Sequence, residues 1–241
     1  MKKKQFLTND EHGMSIFREF NHAKKRFEAL KIQNSIVVFG SARIKQDDEN
    51  LKMRYYYDSA YKLSKRLANW SRETFGEGLK SDKYYIVTGG GGGIMEAANK
   101  GAAEVGEPTI GLNILLPFEQ TSNNYIPDNL IIPFHYFFIR KFFFVYYAKA
   151  FIIFPGGFGT FDELFEILTL AQTQKMQYTI PFVIFGKEFF DKVLNIDMLI
   201  QNNLISESDR DLFIVTDDID EAFKHITSKI QTDINFIGWE D

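Results

Sequence analysis

Two glycine-rich turns and a few charged residues are the parts of this chain whose types and spacing suit chemistry. The first turn is Thr88-Gly-Gly-Gly-Gly-Gly93-Ile-Met-Glu96. It follows an apolar run and opens a helical pattern. Glycines let a ligand approach the backbone closely, and a helix N-terminus offers free N–H groups and a positive dipole end. Gly90, Gly91 and Gly92 are therefore candidate phosphate-binding residues. The second turn, Pro155-Gly-Gly-Phe-Gly-Thr160-Phe-Asp-Glu163, repeats the strand–glycine–helix order. Thr160 can cap the helix that follows and can also donate its hydroxyl to a phosphate. No Gly-Lys-Ser/Thr follows, so this is not a Walker A loop, and neither turn carries the full dinucleotide fingerprint with its acidic partner. Two anion-ready turns on one sheet edge fit a mononucleotide better than a triphosphate-driven machine.

Glu163 falls in the first turn of the helix after the second cluster. A carboxylate there pairs favourably with the helix dipole whether or not it has another task. Asp162 points about 100° away from it and fits that purely structural role better. Arg140-Lys141 stands at the expected start of another helix, where cations are disfavoured, so a basic pair there calls for a compensating anion. A helix of roughly ten residues from Arg140 covers about 15 Å. The strand behind it returns a similar distance at about 3.3 Å per residue. Arg140 and the Pro155–Thr160 loop then meet at the same sheet edge, which places a guanidinium, a carboxylate and two phosphate-ready turns in one cleft.

The elements that hold these residues alternate. Residues 1–33 read as a polar start and an amphipathic helix, with Ile16, Phe17, Phe20, Phe27 and Leu30 near helical spacing. Strands are expected at 35–40, 84–88, 109–113, 131–134, 151–154, 182–185 and 213–216. Helices are expected at 51–75, 94–105, 140–150 and 161–174. Such alternation predicts an α/β fold, a Rossmann-like doubly wound parallel sheet covered on both faces. The expected organisation is a single domain, 34–241, with an extra N-terminal helix in 1–33. Ligands of such sheets bind beyond the carboxyl ends of the strands, where both glycine turns lie.

Composition narrows the function classes. The chain has 241 residues and no cysteine, which removes disulfides, thiolate metal sites and cysteine nucleophiles. Its four histidines are scattered (His12, His22, His135, His225) and suggest no metal cluster. A net charge of −4 argues against general nucleic-acid binding. The most apolar stretch, 131–154, is broken by Arg140, Lys141 and Lys149, which argues against a membrane span. Met-Lys-Lys-Lys at the start is followed by no apolar run with a cleavage site, so the cytoplasm is the expected compartment. The 25 Phe and 11 Tyr imply a large aromatic core, or a core plus a subunit interface. The stripe Phe142, Phe143, Phe144, Tyr146, Tyr147 suits either of these better than base stacking.

Taken together, the Gly-Ile-Met-Glu turn, Arg140-Lys141 and Pro-Gly-Gly-x-Gly-Thr-x-x-Glu resemble the Lonely Guy (LOG) family of cytokinin riboside 5'-monophosphate phosphoribohydrolases, long misnamed lysine decarboxylases. The resemblance covers about residues 35–220. The N-terminal helix and Leu116-Pro-Phe-Glu-Gln120 are similar to the larger bacterial branch. The resemblance implies a Rossmann-like fold that cleaves AMP-type nucleotides to free base and ribose 5-phosphate, with no metal or organic cofactor, in a homo-oligomer such as a dimer or hexamer. It implies Arg140 and Glu163 as the catalytic pair. It implies Glu119, Lys141, Gly157, Phe158, Gly159, Thr160 and Thr169 as substrate contacts. Where short members carry Asp-Met-His before the arginine, this chain has Tyr136-Phe-Phe138. A decarboxylase would need a Schiff-base lysine, and the His-Lys pair typical of that group is missing. The alternative on the same fold is a non-catalytic nucleotide or cofactor carrier.

Overall fold

The computed structural model describes residues 9–116, 122–176 and 180–232. Among these, seven strands form one sheet: β1 (Asn34–Phe39), β2 (Tyr84–Thr88), β3 (Thr109–Ile114), β4 (Ile131–Phe134), β5 (Ala148–Ile153), β6 (Phe182–Phe185) and β7 (Ile214–Thr216). Every pairing is parallel, in the order β4-β3-β2-β1-β5-β6-β7. Strand order thus reverses between β1 and β5. A crevice opens at such a switch because successive connections leave it toward opposite faces. Pro133, which cannot donate to a ladder, sits on the edge strand β4.

Two helical layers cover the sheet. One holds α2 (Leu51–Phe75), α3 (Ile94–Glu104) and α8 (Ile219–Thr232). The other holds α1 (Asn9–Ala29), α4 (Phe137–Tyr146), α5 (Phe158–Gln172) and α6 (Lys187–Val193). A short α7 (Ile196–Gln201) follows α6. The strands show the period-2 alternation that feeds both layers. Ile36, Val38, Ala150 and Ile152 point to the first, and Val37, Phe39, Phe151 and Ile153 to the second. Each fully buried Phe, Ile or Val side chain contributes roughly 1.5–3 kcal/mol by leaving water. No helix among the described residues is long and apolar enough to cross a membrane.

The N-terminal helix α1 packs into the second layer and positions α4. Phe27 stacks on Tyr147 with ring centroids 4.3 Å apart, and Phe20 meets Phe142 and Phe143 at 5.1 and 5.2 Å. The helix α4 has no side-chain cap of its own at Tyr136. Glu19 of α1 accepts hydrogen bonds from the backbone N–H of His135 (2.9 Å) and Tyr136 (3.0 Å) instead. A carboxylate at a helix N-terminus satisfies unpaired amides and the dipole together.

The helices that carry Arg140 and Glu163 both begin three residues before their expected starts, α4 at Phe137 and α5 at Phe158. Arg140 is therefore in the body of α4, with its N–H donating to the Tyr136 carbonyl at 3.2 Å. Glu163 is the sixth residue of α5, beyond the turn where helix-dipole pairing would explain it. Thr160 lies within α5, and Gly157 takes the capping position.

Candidate active site

A cavity of about 580 Å³ lies beyond the carboxyl ends of β1 and β5, at the reversal of strand order. Four segments converge on it: the loop after β1, the glycine turn after β2, the helix α4 and the start of α5. Arg140 and Glu163 both line it.

Arg140 reaches the cavity from α4 with its side chain 13% exposed. Its Cζ lies 5.1 Å from the Phe137 ring centroid and 5.6 Å from that of Phe144. Aromatic faces attract a guanidinium and replace part of its lost hydration. Burial works against the charge, and Glu163 and Asp162 work for it, with a net lowering of the Arg140 pKa. Its Nε is buried without a hydrogen-bond partner. Its Nη2 stands 3.9 Å from Glu163 Oε1, within ion-pair range but too far for a hydrogen bond. A buried donor and a buried charge left unsaturated in one cavity invite a polar ligand.

Glu163 is buried, its side chain 5% exposed. Burial raises its pKa to about 7 against the lowering pull of Lys141 and Arg140. A carboxyl group with that pKa divides between base and acid near neutrality, where a proton-transfer group works best.

Lys141, one position on and about 100° around the helix, meets a different environment. Its Nζ contacts Glu166 Oε2 at 2.8 Å, Asp162 Oδ2 at 2.9 Å and Glu163 Oε2 at 4.0 Å. Burial opposes the ammonium, but the bonds to Glu166 and Asp162 prevail and its pKa is raised. It lies beside the cavity lining and acts on Glu163 from there.

The second glycine turn opens directly into the cavity through Gly157, Phe158, Gly159 and Thr160. Phe158 is 95% exposed. The first turn touches the cavity at Gly89, while Gly90, Gly91 and Gly92 lie outside its lining. Gly90 has φ +73°, and a Cβ there would lie 1.8 Å from Asn113 Oδ1. Gly93 has φ +67°, and its Cβ would lie 2.2 Å from the Ser41 carbonyl oxygen. These glycines thus serve close packing as well as turning. A buried polar chain holds the turn. Asn123 Nδ2 donates to the Gly91 carbonyl and to Asn99 Oδ1, both at 2.9 Å, and Thr88 Oγ1 accepts from the Gly90 N–H at 2.9 Å.

Thr169 is on an exposed face of α5, outside the cavity lining, and donates its hydroxyl to the Phe165 carbonyl at 2.7 Å. Glu119 lies outside the described residues. Sequence reasoning missed the loop Gly40-Ser41-Ala42-Arg43, all four residues of which line the cavity. The available signal was a buried strand ending in glycine; its meaning depends on β1 being the strand at the switch point. Among the described residues no three acidic or histidine side chains converge as metal ligands.

A family model described as "Possible lysine decarboxylase" matches residues 95–226, a span that includes Arg140 and Glu163. Among curated proteins, probable cytokinin riboside 5'-monophosphate phosphoribohydrolase LOG4 of Oryza sativa subsp. japonica is 26% identical over 144 residues, covering 59% of this chain and 61% of that protein. Cytokinin riboside 5'-monophosphate phosphoribohydrolase LOG of the same plant is 29% identical over 163 residues, with 66% and 61% covered. The chain thus spans about three fifths of the length of these two relatives. Among solved structures, the molybdenum cofactor binding protein of Rippkaea orientalis aligns with a TM-score of 0.51 at 19% identity, over 81% of this chain and 95% of that one. The Moco carrier protein of Chlamydomonas reinhardtii aligns with a TM-score of 0.52 at 21% identity, over 83% and 99%. At these identities the likeness is one of fold.

Proposed function

The chain belongs to the LOG family, whose model bears the description of a possible lysine decarboxylase, and on that premise we propose that it hydrolyses the N-glycosidic bond of purine nucleoside 5'-monophosphates. AMP and water give adenine and ribose 5-phosphate. The observation that carries this reading is the pair Arg140 and Glu163, which line one cavity 3.9 Å apart, Glu163 buried and Arg140 partly buried. Glycoside cleavage passes through a positively charged, oxocarbenium-like sugar. The Glu163 carboxylate stabilises that charge and takes a proton from the attacking water. Arg140 donates a hydrogen bond to the substrate as the C–N bond breaks. The electron pair leaves with the base, which takes up one proton in place of the one that Glu163 removes from water, so neutral adenine and ribose 5-phosphate result. A decarboxylase chemistry is poorly served, because no lysine among the described residues lines the cavity to form a Schiff base.

The fold alone does not separate this enzyme from a carrier, since proteins titled as cofactor carriers share it. Incubation with AMP followed by chromatography separates them. Free adenine is expected, and unchanged AMP would overturn the hydrolase reading in favour of a carrier. Adenosine is expected to react with kcat/KM on the order of 10- to 100-fold below AMP, the worth of one or two charged hydrogen bonds to the phosphate. Equal values for the two substrates would refute a phosphate-directed site.

Assembly as a homo-oligomer, a dimer or hexamer in the cytoplasm, belongs to the same proposal. The helix α4 exposes Phe137 (49%), Phe138 (55%), Phe142 (39%) and Tyr146 (41%), and α5 exposes Phe165 (47%). Aromatic side chains of this size are enriched where subunits meet. Light scattering should give at least twice the chain mass of 28.0 kDa. A mass near that of one chain across working concentrations would refute it.

A further inference from the structure

We infer that Arg43 is the charge partner of the substrate's 5'-phosphate and sets the preference for a nucleotide over a nucleoside. The inference rests on the hydrolase reading above and deepens it.

The backbone that carries Arg43 is clamped by both glycine clusters. The Ser41 N–H donates to the Pro155 carbonyl at 3.0 Å, and the Ser41 carbonyl accepts from the Ile94 N–H at 2.9 Å. The Arg43 N–H donates to Ser41 Oγ at 3.1 Å. The loop is therefore a fixed platform at the switch point, and Arg43, an exposed residue, lines the cavity.

The charges of the cavity point to this residue. Two cations line it, Arg43 and Arg140. Arg140 is partly buried and stands 3.9 Å from Glu163. Lys141 is taken up by Glu166 and Asp162. Arg43 makes no ion pair or side-chain hydrogen bond among the described residues. A phosphomonoester carries about −1.5 to −2 charges at neutral pH, and needs an uncommitted cation.

The backbone donors agree. The first amide of α3, that of Ile94, is already spent on Ser41, and the Gly90 N–H is spent on Thr88. Both helix ends line the cavity, α3 through Met95 and α5 through Phe158, Gly159 and Thr160. The Thr160 N–H turns back to the Gly157 carbonyl at 3.0 Å, which leaves the Phe158 and Gly159 amides of α5 for a ligand. The phosphate is therefore held between the α5 N-terminus and Arg43, and the first glycine turn builds the platform under Arg43. Arg140 is left for the sugar and base.

The test compares the full chain with Arg43→Met, which keeps an apolar stem, and Arg43→Lys, which keeps the charge. Readouts are kcat/KM for AMP and adenosine, and the concentration of ribose 5-phosphate that half-saturates a thermal shift. In Arg43→Met, AMP turnover is expected to fall about 10- to 100-fold. Adenosine should change less than about twofold, and ribose 5-phosphate should bind correspondingly more weakly. Arg43→Lys should recover part of the loss. An equal fall on both substrates, or unchanged AMP kinetics and ribose 5-phosphate binding, would overturn the assignment. If the wild-type protein cleaves no AMP, the hydrolase reading fails by itself. Arg43 is then judged by ribose 5-phosphate binding, where weakening in Arg43→Met supports it and equal binding overturns it.

Discussion

Replacing Glu163 with Gln is expected to lower kcat about 10²- to 10⁴-fold without lowering the melting temperature. Gln keeps the size and hydrogen-bonding capacity of the side chain and removes its basicity. The stability half follows from linkage. The Glu163 pKa rises in the fold from 4.5 to about 7, chiefly through burial. For a carboxyl group raised in this way, the unfolded chain ionises first as pH increases. Native stability therefore falls between about 4.5 and 7, and the whole penalty persists above 7. The shift already includes the attraction of Arg140 and Lys141, so an uncharged side chain at 163 is the better-tolerated state. Glu163→Gln should thus melt at or above the wild-type temperature, with a larger advantage at pH 8 than at pH 5. Asp162→Asn is the control. Asp162 is exposed and bonds Lys141 at 2.9 Å, outside the cavity lining, and its loss should cost less than about fivefold in kcat, far below the catalytic range. Similar activity in the two variants would make Glu163 structural.

Replacing Arg140 with Met is expected to lower kcat/KM about 10²- to 10³-fold, the usual loss when a preorganised donor leaves an active site. It should also move the pH profile. Arg140, together with Lys141, pulls the Glu163 pKa down against burial. Removing the cation favours the neutral carboxyl, so the limb assigned to Glu163 should shift to higher pH. Arg140→Lys should rescue little, because an ammonium lacks the planar fork and the fit to the faces of Phe137 and Phe144. If Arg140 only supported packing, melting temperature would fall while the limb stayed in place. Activity within about threefold of wild type would end its catalytic assignment.

Much of this molecule was legible before any fold was known. Buried parallel strands read as short apolar runs, and β2, β4 and β6 have the expected boundaries. The glycine turns mark strand-to-helix junctions because few other residues suit them. The return geometry of a ten-residue helix and a strand was enough to bring Arg140 toward Glu163. Helix starts were less legible. The caps of α4 and α5 are Tyr136 and Gly157 without side-chain bonds, so no local signal marks them. The carboxylate that completes α4 comes from Glu19, 117 residues from Tyr136.

By itself the sequence determined the α/β class, the two glycine turns at strand-to-helix junctions, and which arginine and carboxylate were worth pairing. These depend on contiguous residues and helical or strand periods, which are local. The tertiary structure alone decided the rest. It directed Lys141 to Glu166 and Asp162, placed Thr169 on an outer face, and spent the first glycine turn on packing against Ser41. It also brought Arg43 to the cavity, because strand order, not residue order, makes β1 and β5 neighbours. Burial did the same for Glu163: a pKa near 7 comes from the low-dielectric surroundings that distant helices and strands build around it.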